Sequence, residues 1–157
     1  MKIQTTQVAT HSFLKGLSDA HVETLMREAM PMEYPAGTTI FREGEPANRF
    51  YLIIEGEVEL EFPAEERDDA PYPVETVHAG DVLGWSWLFP PYYWHLDAHA
   101  VKDTTALFIY GTRIRELCEH DHALGYQLMK RASETLIRRL QATRVQFVKR
   151  GKAKAKG

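Results

Sequence analysis

The sequence predicts an α+β fold, a jelly-roll β-barrel held between N-terminal helices and a long C-terminal helix. Three observations carry that expectation. The middle of the chain alternates short strand-like runs with glycine-containing turns. The segments on either side follow the three- and four-residue apolar spacing of helices. The chain has 157 residues, 44% hydrophobic and 26% charged, which suits one domain with its own core and not a disordered chain. The expected organisation is a single domain over residues 1–150 and a basic flexible tail over 151–157.

The elements follow in order. Ser12 to Leu17 reads as a short helical turn ended by Gly16. Ser18 is a suitable N-cap for a helix from Asp19 to Met30, with Asp19 in its first turn. Val22, Leu25, Met26 and Ala29 give that helix an apolar face, and Pro31 is expected to stop it. From Met32 the rhythm changes to strands. Thr38–Phe41 and Phe50–Ile54 are the first two, separated by turns at Pro35-Ala36-Gly37 and Glu43-Gly44-Glu45-Pro46. Val58-Glu59-Leu60-Glu61-Phe62 alternates strictly, so its glutamates are expected on a wet face. Residues 63–73 are polar and acidic, the composition of a hairpin tip. Thr76-Val77 and the stretch from His78 to Gly84 resume the pattern, and Ala98–Val101 and Ala106–Tyr110 complete about eight strands.

After Gly111 the period is helical again. Thr112 is placed to cap Arg113–His120, and Asp121 to cap a helix from His122 to about Lys149. Leu124, Leu128, Ala132, Leu136 and Leu140 step along one stripe of that helix. Such a stripe exceeds what one face of a small β domain covers, and it is the expected homodimer seam.

Charge and cysteine content narrow the context. Net charge is −3, but Lys149, Arg150, Lys152, Lys154 and Lys156 lie in the last nine residues. Without them, 14 positive side chains face 22 negative ones. An acidic body argues against phosphate-backbone binding, so direct specific DNA binding is not expected. The lone Cys118 forms no internal disulfide, and no segment has the roughly 20 apolar residues of a membrane span. With no apolar leader at the N-terminus either, the expected location is the cytoplasm and no membrane is expected as a partner.

Three stretches carry a family resemblance. They are Tyr34 to Pro46, Phe50 to Val58, and Gly80-Asp81-Val82-Leu83-Gly84. In this order and spacing they resemble the cyclic-nucleotide-binding domain shared by catabolite-activator and FNR-type regulators, kinase regulatory subunits and gated channels. The resemblance covers about residues 12–148 and implies a regulatory or sensory module, stand-alone and without a DNA-binding domain.

In binding members of that family a Gly-Glu pair opens the phosphate-binding cassette, and an Arg follows ten residues after the Gly. The Glu accepts from the ribose 2′-hydroxyl and the Arg pairs with the cyclic phosphate. Here Gly84 keeps its place, Trp85 stands where the Glu belongs, and the count of ten reaches Trp94. No Arg or Lys occurs from Gly84 to Val101. A charge-assisted pair is worth about 1.5–3 kcal/mol, and about 1.4 kcal/mol is tenfold in affinity. The expectation is a degenerate cassette that does not bind cAMP or cGMP in the usual way.

The candidate ligand-binding residues are Leu83, Gly84, Trp85, Ser86, Trp87, Trp94, His95 and Leu96. Six aromatic side chains between Trp85 and Trp94 leave three readings open: a pocket plugged by its own side chains, a site for a flat or apolar small molecule, or an apolar protein-contact surface without a ligand.

Other chemistries are weaker. His95 and His99 are four apart, but His99 falls on a strand and the glutamates are expected to be remote, so no metal is expected. His120-Asp121-His122 is the one His-x-His pair, and it sits at a helix junction. No nucleophile elbow, P-loop or dinucleotide fingerprint is present, so neither catalysis nor a cofactor is expected.

Overall fold

The computed structural model describes residues 4–64 and 70–156. Part of the expected hairpin tip, residues 65–69, therefore lies outside the described residues. The N-terminal part forms α1 (Thr5–Ala9), a 3-10 turn at Ser12–Leu14 and α2 (Asp19–Arg27). Ser18 caps α2 by accepting from the His21 amide at 3.2 Å. The helix ends at Arg27, short of the expected Met30. Ala29–Tyr34 is instead β1, which pairs only with β8 (Thr104–Tyr110). Pro31 is tolerated there because β1 is an edge strand with one side free of the ladder.

Two four-stranded antiparallel sheets follow. One has the order β1, β8, β3 (Arg49–Glu55), β6 (Val82–Leu83). The other has the order β2 (Thr39–Phe41), β7 (Asp97–Ala100), β4 (Glu57–Phe62), β5 (Tyr72–His78). The jelly roll is thus two facing sheets, and no ladder among the described residues closes it into a barrel. Gly56 turns β3 into β4 with φ 105°, and a Cβ there would sit 2.4 Å from Thr104 Oγ1. Only glycine serves both conformation and space at that corner.

The inner strands β3 and β8 of the first sheet are buried on both faces, and this creates two cores. Tyr51, Ile53, Leu83 and Ala106 face the roll interior, where Val58, Leu60, Ala98 and Ala100 meet them from the second sheet. Phe50, Leu52, Leu107 and Ile109 face outward and are covered by the helices. α3 runs Gly111–His120, beginning before the expected Thr112 cap; the Gly111 amide donates to Asn48 O at 2.8 Å instead. α4 runs His122–Lys156, capped by Asp121, whose Oδ1 accepts from the Leu124 amide at 3.1 Å.

Two expectations about α4 change. Leu124, Leu128 and Ala132 are fully buried in the chain's own helix-side core, so they are not free to form a dimer seam. Only the later part of the stripe, with Leu136 and Leu140, is exposed. The 151–156 segment, expected as a flexible tail, continues the helix, consistent with the high helix propensity of its Lys and Ala residues. No helix among the described residues is long and apolar enough to cross a membrane.

Candidate functional site

The segment from Gly84 to Leu96 leaves β6, makes one 3-10 turn at Ser86–Leu88, and returns to β7 through Pro90 and Pro91. Its three tryptophans separate. Trp87 is wholly buried on the helix side, stacked on Phe50 with centroids 4.6 Å apart. Its indole N–H donates to Gly84 O at 3.1 Å. The Gly111 Cα leaves no room for a side chain against it, since a Cβ would lie 2.8 Å from Trp87 atoms. Trp87 is therefore a structural anchor, not a pocket residue as expected. Leu83 is likewise fully buried in the roll core.

Trp94 enters the roll interior from the other end of the segment. It stacks on Phe41 at 3.8 Å and 13°. Its ring edge lies so close to Gly84 that a Cβ there would be 2.8 Å from Cη2. Gly84 itself has φ 96°, a conformation that favours glycine. Trp85 is buried in the helix-side core beside Phe13. The loop between them is tied to α3: the Arg115 guanidinium lies 3.8 Å from the Tyr92 ring centroid and donates to Trp87 O.

A cavity of about 320 Å³ lies between these two indoles. Gly84, Trp85, Ser86, Trp94, His95 and Leu96 of the expected set line it, with His95 on the exposed side. Phe41, Leu60, Phe89, Leu136 and Arg139 complete the wall and were not anticipated as site residues, apart from Leu136 as a dimer contact. The inward alternation of Leu60 on β4 was a usable signal; nothing in the local sequence points to Arg139. Arg139 brings the wall's one guanidinium, and it is paired with Glu75 of β5. The Nε1 atoms of Trp85 and Trp94 are buried and have no acceptor among the described residues. Leaving a buried donor unmet costs about 1–3 kcal/mol.

A larger hollow of about 580 Å³ lies between the N-terminal turn, β5 and α4. Its walls are mixed in charge, with Lys15, Glu75, Asp81, Lys130, Arg131 and Glu134 among them, and it lacks the cavity's aromatic enclosure. At its edge His11 is held neutral: burial lowers its pKa, Nε2–H donates to Ile53 O at 3.0 Å, and Nδ1 accepts from the Phe13 amide. Cys118 is half-buried, and burial pushes its thiol up to about 11, so it is a poor nucleophile. The His120-Asp121-His122 junction is structural: Asp121 caps α4 and accepts from or ion-pairs with His21 at 2.9 Å.

His95 and His99 are not brought together, because only His95 belongs to the cavity wall. His99 instead meets two acidic side chains. Its Nε2 lies 2.8 Å from Glu61 Oε1 and 3.9 Å from Asp97 Oδ2. Glu61 was expected on a wet face and remote from histidine; its side chain is only 13% exposed.

Comparison with known proteins agrees with the fold. A family model, the cyclic nucleotide-binding domain, matches residues 31–121. A CRP-like cAMP-activated global transcriptional regulator of Mycobacterium tuberculosis is 25% identical over 136 residues, which are 87% of this chain and 58% of that protein. The chain thus spans little more than half the length of that relative. A Geobacter metallireducens structure superposes with a TM-score of 0.76 at 29% identity, covering 88% of this chain and 99% of the other. The regulatory subunit of a cAMP-independent protein kinase A from Trypanosoma brucei gives 0.68 at 23% identity, covering 83% and 43%.

Proposed function

The chain belongs to the cyclic nucleotide-binding domain family, and we propose that it is a regulatory, sensory module whose cassette does not take cAMP or cGMP in the family's usual way. The position of Trp94 carries this reading. It fills the roll interior against Gly84, at the place in the segment where the family's phosphate-binding Arg belongs. Trp85 replaces the ribose-binding Glu. Losing two charge-assisted contacts of about 1.5–3 kcal/mol each lowers affinity roughly 10²- to 10⁴-fold.

The cavity left beside Trp94 suits a flat or apolar small molecule. Its walls are mainly aromatic and aliphatic, with Ser86, His95 and Arg139 as polar groups. A molecule there would touch both the roll and α4, through Leu136 and Arg139. The role is regulatory rather than enzymatic, a reading that membership of the cyclic nucleotide-binding domain family supports. A location in the cytoplasm fits the lone unpaired cysteine.

A second reading, a protein-contact module without a small ligand, draws on α4. Leu136, Ile137, Leu140, Phe147 and Val148 are exposed along its second half. A homodimer through that half is the form of this contact we favour.

Calorimetric titration with cAMP and cGMP tests the main reading. No saturable binding at tens of micromolar is expected. Micromolar binding that Trp94→Leu alters would overturn it. A thermal-shift screen of aromatic and apolar metabolites then separates the two readings: a concentration-dependent rise supports the sensor, and a flat screen with self-association supports the contact module.

A further inference from the structure

Glu61, Asp97 and His99 share the outer face of the second sheet, and the ladder explains why. Glu61 is the direct cross-strand partner of Asp97, and His99 lies two residues further along β7. The alternate positions, Val58, Leu60, Ala98 and Ala100, fill the core. A bulge between Thr39 and Phe41 turns Phe41 inward opposite Ala98 while leaving Thr39 opposite His99. Thr39 Oγ1 then stands 2.9 Å from His99 Nδ1.

We propose that Glu61, Asp97 and His99 are a site for a divalent transition-metal cation of the zinc class. One donor atom from each lies within 4.8 Å of the other two. A tetrahedral cation with bonds of about 2.0–2.1 Å spaces its ligands about 3.3–3.4 Å apart, so the observed 2.8 and 3.9 Å bracket the requirement.

Charge and hydrogen bonding supply the reason for a cation. Two carboxylates directly opposed across a ladder repel each other. Their side chains are only 13% and 10% exposed, and no Lys or Arg pairs with either among the described residues. Glu43 N–H satisfies Asp97 Oδ1 at 2.7 Å. Asp97 Oδ2, on a side chain 10% exposed, stands 3.9 Å from His99 Nε2, beyond hydrogen-bond distance. The one histidine hydrogen-bonds Glu61 and faces Asp97 only at ion-pair distance.

The hydroxyl of Thr39 fits both states of the site. Without metal, His99 Nε2–H donates to Glu61, and Nδ1 shares a hydrogen bond with the Thr39 hydroxyl. With metal on Nε2, the neutral ring's one proton sits on Nδ1 and is donated to Thr39 Oγ1, since a hydroxyl both donates and accepts. This is the second-layer support that metal-bound histidines use. A nitrogen donor and only three protein ligands disfavour calcium, which takes six to eight oxygens. The site adjoins the cavity in sequence, because Leu96 lines that wall and Asp97 follows it.

Isothermal titration of the chelator-treated chain with zinc chloride tests the proposal, with calcium chloride alongside. One zinc per chain at micromolar affinity or tighter is expected. Glu61→Gln and His99→Gln should each weaken it at least tenfold, and Thr39→Val about 10- to 100-fold. The wild-type chain gives an independent check by long-range ¹H–¹⁵N spectra of the histidine rings: the His99 Nε2 resonance should move on zinc addition, with the other rings unmoved. No zinc binding below 100 µM, binding unchanged in Glu61→Gln, shifts confined to other histidines, or calcium binding as tight as zinc would each overturn it.

Discussion

Gly84→Ala reads out how Trp94 is packed, and its cost divides into two parts. The first is conformational. With φ 96°, the new side chain sits where L-residues are strained, at about 1–2 kcal/mol. The second is steric. The added Cβ would meet Trp94 Cη2 at 2.8 Å and Cζ3 at 2.9 Å. The indole has no easy retreat, because Phe41 stacks on its face at 3.8 Å. Forced overpacking of this kind costs about 1–3 kcal/mol. Together they remove about 2–5 kcal/mol from a domain stability of roughly 5–15 kcal/mol. A double-mutant cycle with Trp94→Leu isolates the steric part, since leucine does not reach the indole's outer edge. In that background Gly84→Ala should cost only the conformational part, giving a coupling of about 1–3 kcal/mol. Urea unfolding followed by far-ultraviolet circular dichroism gives all four stabilities without relying on tryptophan emission. Gly84→Ala costing the same in both backgrounds, within about 0.5 kcal/mol, would refute the packing of Trp94 against Gly84.

Two more expectations follow from the helix and the N-terminal turn. Leu128→Ala should cost about 2–5 kcal/mol, because its side chain is wholly inside the chain's own core, whereas Leu140→Ala should leave the isolated domain within about 0.5 kcal/mol. Sedimentation equilibrium completes that pair: Leu140→Ala should weaken self-association, and a wild-type chain that stays monomeric at 100 µM removes the dimer proposal. Burial lowers the His11 pKa below its usual 6.5, so the unfolded chain binds the proton first as pH falls. Stability contributed by His11 is complete above pH 6.5 and is lost on acidification through the window below it. Urea midpoints at pH 7.5 and 5.5 should therefore differ less in His11→Gln than in the wild type, and an unchanged difference would exclude His11 as the source.

What was legible in the sequence followed local rules. The alternation of Val58 to Phe62, the Ser18 and Asp121 caps, and the turn glycines each report a few neighbouring residues, and the strands and helices they imply are there. Pro31 shows where such rules stop. It reads as a helix terminator, but its chain position makes it an edge-strand residue, and only the pairing of β1 with β8 decides between the two. Leu124 to Leu140 shows the same limit. The stripe is continuous in sequence, yet its first half packs in one core with Phe50 and Leu52 while its second half, alongside β5, leaves Leu136 and Leu140 exposed. Helical periodicity marks an apolar face without naming the surface that covers it.

The site was half legible for a related reason. The replacement of two polar positions by Trp85 and Trp94 is a fact of spacing, and it suffices to question nucleotide binding. Which indole closes the pocket is a fact of topology. Trp94 lies in the core between the sheets and Trp85 in the core beneath the helices, so the cavity separates two packing units rather than sitting within one. That placement matters energetically. A molecule bound between Trp94, on the roll, and Leu136 and Arg139, on α4, has contacts with both bodies. Its binding free energy shifts their relative position only by the difference between what it gains in the two arrangements. Arg139 bears on that difference because its Glu75 ion pair fastens α4 to β5. An acceptor on the ligand that draws Arg139 away from Glu75 would loosen the helix, and a ligand that leaves that ion pair intact would leave it fastened.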